Sequence, residues 1–423
     1  MRKLKLLFFV LFNGKFYRKA LVYIRRRDFK KIFNRAAYYF SITRIKFSDD
    51  STLSEWMCAN VQIDVKKICY FDHDLGGGAN QYLNKLIQIK KEENVIFLIR
   101  YNPALRAYIF TAYWRENKIT FNCEKIEDVF FIALHHQVSE IVINELVSYP
   151  DVLGILKRIL NLKKILDADL HMLVHDYFAV CPTFILLDYQ DKFCAASGYK
   201  NCGICYDKVN NNQHPALRID TDVDVWRSGW KAFLNKCDII TAFSGDSKSI
   251  METIFGALPQ IEIVPHKVNY IEAIVKTRKT TNTLNIGFLG GISKHKGLHI
   301  IQEMANILDR KKCDIRLILI GFTEFPIKGL CFKETGKYRP EDVPALTLEH
   351  DIDIFLILSI WPETFSYTTQ EIIEMGMPAA CFDIGAPAER IKEYKKGFII
   401  PNMTAECVID TITEWYNKDS EVR

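Results

Sequence analysis

Short apolar runs alternate with helix-like stretches along most of the chain after residue 60. The segment KKICYFDHDLGGGANQYLNKLIQI (residues 66–89) predicts a strand, a glycine loop and a helix. Further buried strands are predicted at ENVIFLIRY, EIVINEL and LHMLVHDYF, and the strand-and-loop pattern returns at DIITAFSGDSKSIM and IEIVP. Strands that alternate with helices are typical of a parallel sheet in an α/β domain.

A second series of the same kind begins at TLNIGFLGGISKHKGLHIIQEMANIL (residues 283–308) and continues with DIRLILIGF, IDIFLILS and PAACFDI. We therefore expect an α/β protein with two facing, Rossmann-like, doubly wound parallel-sheet domains and a ligand cleft beyond the carboxyl ends of their strands. The expected segments are a basic arm (1–60), a first domain (61–265), a linker (266–283), a second domain (284–400) and a C-terminal helix (401–423).

Composition limits the class of protein. The chain has 423 residues, of which 49% are hydrophobic, and no apolar run approaches the roughly 18 residues of a membrane-spanning helix. The apolar run LLFFVLF (residues 6–12) is too short to span a bilayer and lacks a cleavage pattern after it. Twelve scattered cysteines without a secretory context predict reduced thiols in a cytoplasmic protein.

The positive charge is concentrated at the start of the chain. Residues 1–46 hold 14 Lys and Arg but one acidic residue, Asp28, whereas the whole chain has a net charge of +5. The remainder is therefore acidic, which argues against a nucleic-acid binder. The basic residues alternate with Leu, Phe, Tyr and Ile, as in segments that lie on an anionic cytoplasmic leaflet. The alternative is a set of helices packed on the protein with solvated basic faces.

The stretch WPETFSYTTQEIIEMG (residues 361–376) places Glu363 and Glu371 eight positions apart around small hydroxyl residues. A structural interpretation is a capping box, with Thr368 as the N-cap of a short helix and Glu371 three residues later. Gly376 then ends the helix. The functional interpretation places an anion at the helix start, between the two carboxylates.

A glycine turn with nearby basic residues lies in GFLGGISKHKG (residues 287–297). Gly290 and Gly291 would let backbone N–H groups approach an anion, and Lys296 would add a full charge for a phosphate. The Gly-Lys-Ser/Thr of a Walker loop is missing, and a purely structural turn remains an equal alternative.

A second glycine turn, Gly76, Gly77 and Gly78, follows the strand in FDHDLGGGAN (residues 71–80). It is predicted to face the first across the cleft, although a tight strand-to-helix connection would need the same residues. Asp72 and Asp74 form an Asp-x-Asp pair of the kind that holds a divalent ion. The same spacing recurs at Asp167/Asp169, Asp220/Asp222/Asp224 and Asp351/Asp353, so it has little specificity, and we expect no metal.

Two further candidates are a histidine and a cysteine group. His175 directly follows an apolar strand, where it is either a cleft residue with a near-neutral pKa or a structural histidine. Cys194, Cys202 and Cys205 have the spacing C-x7-C-x2-C, and zinc would need a fourth ligand such as Cys181 or His214. Free thiols are the preferred interpretation.

The motif ETFSYTTQE resembles the E-x7-E signature of retaining glycosyltransferases of family 4, which have the GT-B fold. The longer segment PETFSYTTQEIIEMGMPAACFDIGAPAERI and HDYFAVCP are similar to bacterial members that build cell-surface polysaccharides. The resemblance implies that Glu371 binds the nucleotide ribose and that Glu363 binds the donor sugar. It also implies that backbone N–H groups of four consecutive residues bind the sugar and diphosphate: Thr364, Phe365, Ser366 and Tyr367.

The same resemblance implies that Lys296 binds phosphate, that His175 lies near the transferred sugar, and that Gly76–Gly78 lies near the diphosphate and acceptor. Two positions depart from the pattern. Gly291 replaces the arginine usually found five residues before the lysine, and Ser366 replaces a glycine. Lys294 and Arg390 are candidates for the missing phosphate charge.

The expected function is retaining transfer from a nucleotide sugar, without a cofactor or metal, to a lipid-linked or cell-surface saccharide. The expected location is cytoplasmic, on the inner face of the cell membrane. Two alternatives remain open: a sugar-nucleotide epimerase of the same fold, and a non-catalytic scaffold of a polysaccharide-synthesis complex.

Overall fold

The computed structural model describes residues 45–61, 65–103, 105–194, 198–199, 201–212, 217–275 and 283–422. Residues 1–44 of the expected basic arm lie outside this range, as does His214, so the attachment of the arm to a membrane stays a prediction. The chain forms two compact units. The first comprises residues up to 184, 201–241 and 254–262, and the second comprises residues 185–200, 242–253 and those from 263 onward.

The first sheet has eight strands in the order β4-β3-β2-β1-β5-β6-β7-β8. Its strands are β1 (Lys67–His73), β2 (Val95–Asn102), β3 (Ala107–Trp114), β4 (Asn117–Cys123), β5 (Glu140–Ile143), β6 (Asp169–Val174), β7 (Ile239–Ala242) and β8 (Ile261–Ile263). The strand order reverses between β1 and β5, the point at which such sheets form a ligand crevice.

The first sheet has an antiparallel edge that the sequence did not predict. Strand β1 pairs in parallel with β2 and β5, but β3 pairs antiparallel with both β2 and β4. The turn between β3 and β4 has only two residues, Arg115 and Glu116, and so short a connection is possible only between antiparallel strands.

The second sheet has six strands in the order β11-β10-β9-β12-β13-β14, which is the Rossmann order 3-2-1-4-5-6. The strands are β9 (Leu284–Ile292), β10 (Ile315–Thr323), β11 (Phe332–Glu334), β12 (Ile354–Ile357), β13 (Ala379–Phe382) and β14 (Gly397–Ile400). The pairs β9–β10, β9–β12, β10–β11, β12–β13 and β13–β14 are parallel. The short strands β11 and β14 were not predicted from the sequence.

Twelve α-helices are described, and their bounds are α1 (Asp50–Asn60), α2 (Gly78–Lys90), α3 (Ile126–His135), α4 (Val152–Leu166), α5 (Cys202–Asn212), α6 (Val223–Leu234), α7 (Gly245–Phe255), α8 (Leu298–Lys311), α9 (Val343–Glu349), α10 (Tyr367–Glu374), α11 (Gly385–Glu393) and α12 (Ala405–Val422). None of the helices in the described ranges is both long enough and apolar enough to cross a membrane.

Both faces of the second sheet are buried, which explains the nearly continuous apolar runs in its strands. Alternate residues such as Leu317 and Leu319 of β10 pack with Ile300 of α8 and Ile412 of α12. The residues between them point the other way and pack against helices α9, α10 and α11. The sheet is therefore the middle of three layers.

Candidate functional site

The switch point of the second sheet lies between β9 and β12, which pair in parallel at Ile354 and Ile286. Their carboxyl ends therefore lie side by side. From β9 the chain continues into a short 3₁₀ turn (Lys294–Lys296), and from β12 it continues through residues 358–366 into α10. These two connections hold Lys296 and Glu363, together with Thr364, Phe365 and Ser366. Gly290 and Gly291 lie at the end of β9, and Tyr367 and Glu371 lie in α10.

Glu363 is buried in the loop before α10, with 4% of its surface exposed. Its carboxylate accepts a hydrogen bond from the Ser359 hydroxyl, and Lys296 Nζ lies 3.6 Å from Glu363 Oε2. A buried carboxylate is stable only when such partners compensate its charge. Gly385 packs directly against this residue, because a Cβ atom at Gly385 would lie 2.7 Å from the backbone nitrogen of Glu363.

Lys296 is held toward Glu363 by the turn that carries it. Gly297, the next residue, has a φ of +79°, and a side chain there would lie 2.2 Å from the Leu358 carbonyl oxygen. The turn therefore packs against the end of β12. Lys294, two residues earlier, is paired instead with Asp191, its Nζ lying 2.5 Å from Oδ2 of that residue.

Helix α10 begins one residue after Ser366, whose side chain accepts a hydrogen bond from the Thr369 N–H at 3.4 Å. The predicted N-cap at Thr368 is therefore wrong, because the helix already starts at Tyr367. Gly376 has a φ of +75° and follows the last turn, which confirms its helix-ending role. Ser366, which stands where the family pattern has a glycine, thus provides the N-cap of α10.

Glu371 lies in the second turn of α10 and is 4% exposed. Its Oε1 accepts a hydrogen bond of 2.7 Å from the Tyr270 hydroxyl. Burial, followed by this hydrogen bond to Glu371, raises the pKa of Tyr270. Burial and the charge of Glu371 likewise raise the pKa of Tyr338, whose hydroxyl would lie 3.9 Å from a Cβ atom at Gly290.

Polar residues are unusually well buried along this edge of the sheet. Six of them are at most 5% exposed: Ser359, Glu363, Thr364, Ser366, Thr369 and Glu371. A cavity of about 20 Å³ lies among them, lined by Lys296, Ser359, Glu363 and Thr368, together with apolar residues of β9, β12 and α10. Such a volume holds about one water molecule, so a sugar would have to bind outside this cavity.

The side chains of Phe365 and Tyr367 form an aromatic cluster that the sequence did not predict. The His266 ring stacks on Phe243 with centroids 4.0 Å apart and on Tyr367 with centroids 5.1 Å apart. Phe365 meets the same ring edge-on at 4.6 Å. These contacts fix the loop before α10, so a ligand would reach the two residues through their backbone.

His295, between Lys294 and Lys296, is held neutral by its surroundings. Burial, and then the positive charge of Lys296, lowers the pKa of His295 to about 4. Its ring meets Trp361 edge-on with centroids 5.7 Å apart. The buried indole N–H of Trp361 finds no acceptor among the residues that the structure describes.

Gly290 has a φ of +101°, and a Cβ atom there would lie 3.1 Å from Thr368 Cγ2 in the first turn of α10. The glycine is therefore needed for the close approach of β9 to this helix. At Gly291 a Cβ atom would meet the Phe322 ring at 3.3 Å. Arg390 donates two hydrogen bonds to the neutral amide oxygen of Gln370, at 3.1 and 2.6 Å, whereas Lys294 already has a carboxylate partner.

In the first unit, Asp72 is fully buried at the end of β1 and accepts several hydrogen bonds. Its donors are Arg100 Nε at 2.9 Å, Asn80 Nδ2 at 2.6 Å and Asn144 Nδ2 at 2.8 Å. Asp74 accepts a hydrogen bond from Asn102 at 3.2 Å. The first carboxylate of the Asp-x-Asp pair thus organises the strand ends, and this leaves little support for the alternative of a metal ligand.

His175 lies next to this network, as expected for a residue at the end of β6. Its Nε2 lies 3.0 Å from Asn144 Oδ1, and its ring meets Tyr82 of α2 edge-on at 5.2 Å. Two carboxyl groups nearby were missed by the sequence analysis. Burial raises the pKa of Asp176 to about 7, and burial together with the charges of Asp176 and Asp72 raises the pKa of Glu145.

The turn Gly76–Gly78 is open to solvent. Gly76 and Gly77 have φ values of +80° and +103°, and a Cβ atom placed at either position would have no described neighbour within 4 Å. Gly77 is the N-cap of α2. The left-handed backbone explains the first two glycines, while their role near a diphosphate stays a prediction.

No disulfide links any of the twelve cysteines, all of which lie in the described part of the chain. Cys194 belongs to the second unit, whereas Cys202 and Cys205 belong to the first. Cys202 Sγ accepts a hydrogen bond from Arg227 at 3.3 Å. Among the residues described, these cysteines are not part of any group of three metal-ligating atoms within 4.8 Å of one another, which favours thiols over the zinc alternative.

The two sheets define the class of the fold, which is that of the GT-B glycosyltransferases. The chain resembles the structure of Anabaena HepE in complex with UDP-glucose, with a TM-score of 0.52, 14% identity, and coverage of 84% of this chain and 90% of that one. It also resembles sucrose-phosphate synthase from Thermosynechococcus elongatus, with a TM-score of 0.52, 13% identity, and coverage of 82% and 89%.

Residues 270–423 match the protein family described as "Glycosyl transferases group 1". This range contains the loop before α10 and both glutamates. Spore coat protein SA of Bacillus subtilis (strain 168) is 26% identical over 147 residues, which cover 30% of this chain. The chain matches 38% of the length of that relative.

Proposed function

We propose that this protein is a retaining glycosyltransferase of family 4 that transfers a sugar from a nucleotide sugar to a saccharide. One observation carries the proposal: Lys296 and the buried Glu363 form a pair beside the start of α10, and the buried Glu371 lies within that helix. This arrangement falls inside the range that matches the group 1 glycosyltransferases.

The diphosphate of the donor would bind at the first turn of α10. The first N–H groups of a helix have no carbonyl partner within it, and together with the helix dipole they favour an anion. Lys296 Nζ lies 3.6 Å from Glu363, longer than an ordinary hydrogen bond, and its side chain is 31% exposed. Its N–H donors are therefore oriented by the glutamate yet accessible to a phosphate.

The two glutamates would bind the hydroxyl groups on either side of that diphosphate. Glu371 would accept from the ribose and Glu363 from the donor sugar. Each already accepts a hydroxyl hydrogen bond, from Tyr270 and Ser359 respectively. A ligand hydroxyl would therefore replace or supplement a protein hydroxyl, so the charges need not be newly buried when the donor binds.

The bond between the anomeric carbon and the phosphate oxygen would break as the acceptor oxygen attacks from the same face. The acceptor proton would pass to the leaving phosphate, and the anomeric configuration would be retained. Negative charge grows on the phosphate during this step, and fixed N–H groups and Lys296 would stabilise it. The chain's own cations, Lys296 and Arg390, and its backbone N–H groups would thus balance the charge of the leaving phosphate. We therefore propose that the reaction needs no metal or cofactor.

His175 and the turn Gly76–Gly78 remain our candidates for contacts near the transferred sugar and acceptor. The proposed acceptor is a lipid-linked or cell-surface saccharide of polysaccharide or lipopolysaccharide synthesis. The basic arm motivates this choice, since a segment rich in Arg, Lys and aromatic residues binds anionic lipid. We accordingly propose a cytoplasmic enzyme on the inner face of the cell membrane.

The test is incubation of the full chain with UDP-, TDP- and GDP-sugars and membrane extracts that contain lipid-linked saccharides. We expect one donor to lose its sugar to an acceptor, with an anomeric configuration that NMR identifies as retained. The Glu371→Gln variant, with unchanged circular dichroism, is the control for contaminating activity. An epimerised donor in the absence of acceptor would instead identify an epimerase, and nucleotide-sugar binding without turnover would identify a scaffold.

A further inference from the structure

Three metal-ligating side chains that have no role in the proposed reaction meet in the first unit. Asp50 lies in the first turn of α1, His135 is the last residue of α3, and His136 is the C-cap of that helix. Their ligand atoms all lie within 4.8 Å of one another. Two separate helices, 85 positions apart in sequence, thus bring one carboxylate and two imidazoles together.

The Asp50 carboxylate lies between the two rings. Its Oδ2 is 2.6 Å from His135 Nδ1, and its Oδ1 is 3.0 Å from His136 Nε2. The Asp50 and His136 side chains are only 16% and 10% exposed, whereas the His135 side chain is 54% exposed. Asp50 Oδ1 is buried and meets the criteria for a hydrogen bond with no group of the described part of the chain, although His136 Nε2 lies near it. That ring nitrogen also lies 3.5 Å from the Ser54 hydroxyl oxygen.

The spacing suits a small divalent ion. Zinc binds imidazole nitrogen and carboxylate oxygen at about 2.0–2.2 Å, so neighbouring ligands of a tetrahedral site lie about 3.4 Å apart. The two carboxylate-to-imidazole distances are somewhat shorter than this value. Rotations that move the ligand atoms by about half an ångström would admit the ion.

The chemistry of the three ligands selects the kind of metal. Imidazole with carboxylate suits zinc and other divalent transition metals, whereas magnesium and calcium prefer oxygen ligands. Three protein ligands leave a fourth tetrahedral position for water. We propose that Asp50, His135 and His136 bind one divalent transition-metal ion, Zn²⁺ in the first instance, which links α1 to α3.

Such a link would have a clear structural purpose. Helix α1 buries a single residue, Leu53, so few apolar contacts attach it to the rest of the unit. The segment before it is held by backbone hydrogen bonds from Ser48 to Asn122 and from Asn122 to Lys46. Metal binding to the folded state alone stabilises that state. The ion would therefore anchor the helix that directly follows the basic segment.

The test uses the full chain after treatment with a chelator, titrated calorimetrically with ZnCl₂. We expect one equivalent of Zn²⁺ to bind to the wild type with an affinity that falls about tenfold or more in Asp50→Asn and in His135→Ala. The control is His350→Ala, since His350 is also the C-cap of a helix, α9, and lies in the second unit. We expect its affinity for zinc to equal that of the wild type.

Cysteines also bind zinc, so a spectroscopic measurement must separate the two kinds of site. Co²⁺ at the proposed site would lack the intense thiolate-to-cobalt charge-transfer band of cysteine ligation. Zn²⁺ should also raise the unfolding temperature of the wild type but not that of Asp50→Asn. If Asp50→Asn fails to fold, His135→Ala decides, because that side chain is more than half exposed.

Two results would overturn the proposal. Zinc stoichiometry and affinity unchanged in both folded variants would place the bound ion elsewhere. Absence of zinc binding to the wild type would mean that Asp50 only forms ion pairs or hydrogen bonds with the two histidines.

Discussion

The Tyr270 hydroxyl donates a 2.7 Å hydrogen bond to Glu371, the residue proposed to bind the ribose. Tyr270→Phe would remove this donor from a carboxylate that is 4% exposed. We expect the ligand-free protein to lose about 1–3 kcal/mol of unfolding free energy. The bound donor would replace the lost hydrogen bond, so nucleotide should stabilise the variant more than the wild type. Urea unfolding with and without nucleotide measures both effects; equal stabilisation would contradict the exchange of partners.

Lys296→Ala should lower sugar transfer at least tenfold, because it removes the cation beside Glu363; loss of one such donor typically costs about 3–4 kcal/mol. The comparison is Lys294→Ala, two residues away in the same turn, whose ammonium is paired with Asp191. We expect Lys294→Ala to lower sugar transfer much less than Lys296→Ala. Steady-state rates with saturating donor measure the difference. Similar losses in both variants would indicate that the turn, and not the Lys296 charge, matters.

Gly385→Ala should displace Glu363, because the new Cβ atom would lie 2.7 Å from its backbone nitrogen. We expect lower transfer and lower stability. Gly336→Ala is the matched control, since Gly336 also has a positive φ, +89°, but no described residue beyond its own chain neighbours lies within 4 Å of its Cβ position. The control isolates the cost of backbone strain. If both variants lose activity equally, contact with Glu363 is not the cause.

Ser366→Ala should destabilise the second unit by about 1 kcal/mol, the usual cost of losing an N-cap side chain. Thr368→Ala should cost less, because Thr368 lies inside the helix and does not cap it. Chemical denaturation of the two variants compares them. A larger loss of stability in Thr368→Ala would instead support the capping box predicted from the sequence, with Thr368 as the N-cap.

Asp176→Asn should change how the stability of the first unit depends on pH. Burial raises the pKa of Asp176 to about 7 in the folded protein, whereas the unfolded chain binds the same proton near pH 4. The stabilising protonation is complete below pH 4 and is lost as the pH rises through 7. We expect the stability of the wild type to fall as the pH rises from about 4 to about 7, and that of Asp176→Asn to fall less. Asp169→Asn, an exposed position on the same unit, should leave the dependence unchanged.

The sequence predicted the strands that carry the site because their apolar runs are bounded by polar loops. It missed β3 and β4 although their runs, AYIFTAYW and NKITFNC, are separated by only two residues. That spacing is a hairpin signal. The hairpin was missed because the neighbouring segments favoured a strict alternation of strands and helices, which a hairpin interrupts.

The other features that the sequence could not predict depend on contacts between distant segments. Ser366 and Thr368 both have hydroxyl side chains, and only burial of the whole turn decides which one caps α10. Tyr270 lies 101 positions before Glu371, and no local pattern pairs them. The high pKa of Asp176 likewise comes from burial in the folded unit, which residue type alone cannot indicate.

The orientation of Asn144 has a consequence for the proton on His175. Because Asn144 directs its NH₂ group to Asp72, its amide oxygen must face His175, 3.0 Å from Nε2. A neutral His175 therefore carries its hydrogen on Nε2, and Nδ1 is the basic nitrogen of the ring. The tautomer of the histidine is thus selected by a buried aspartate on another strand, through one intervening amide.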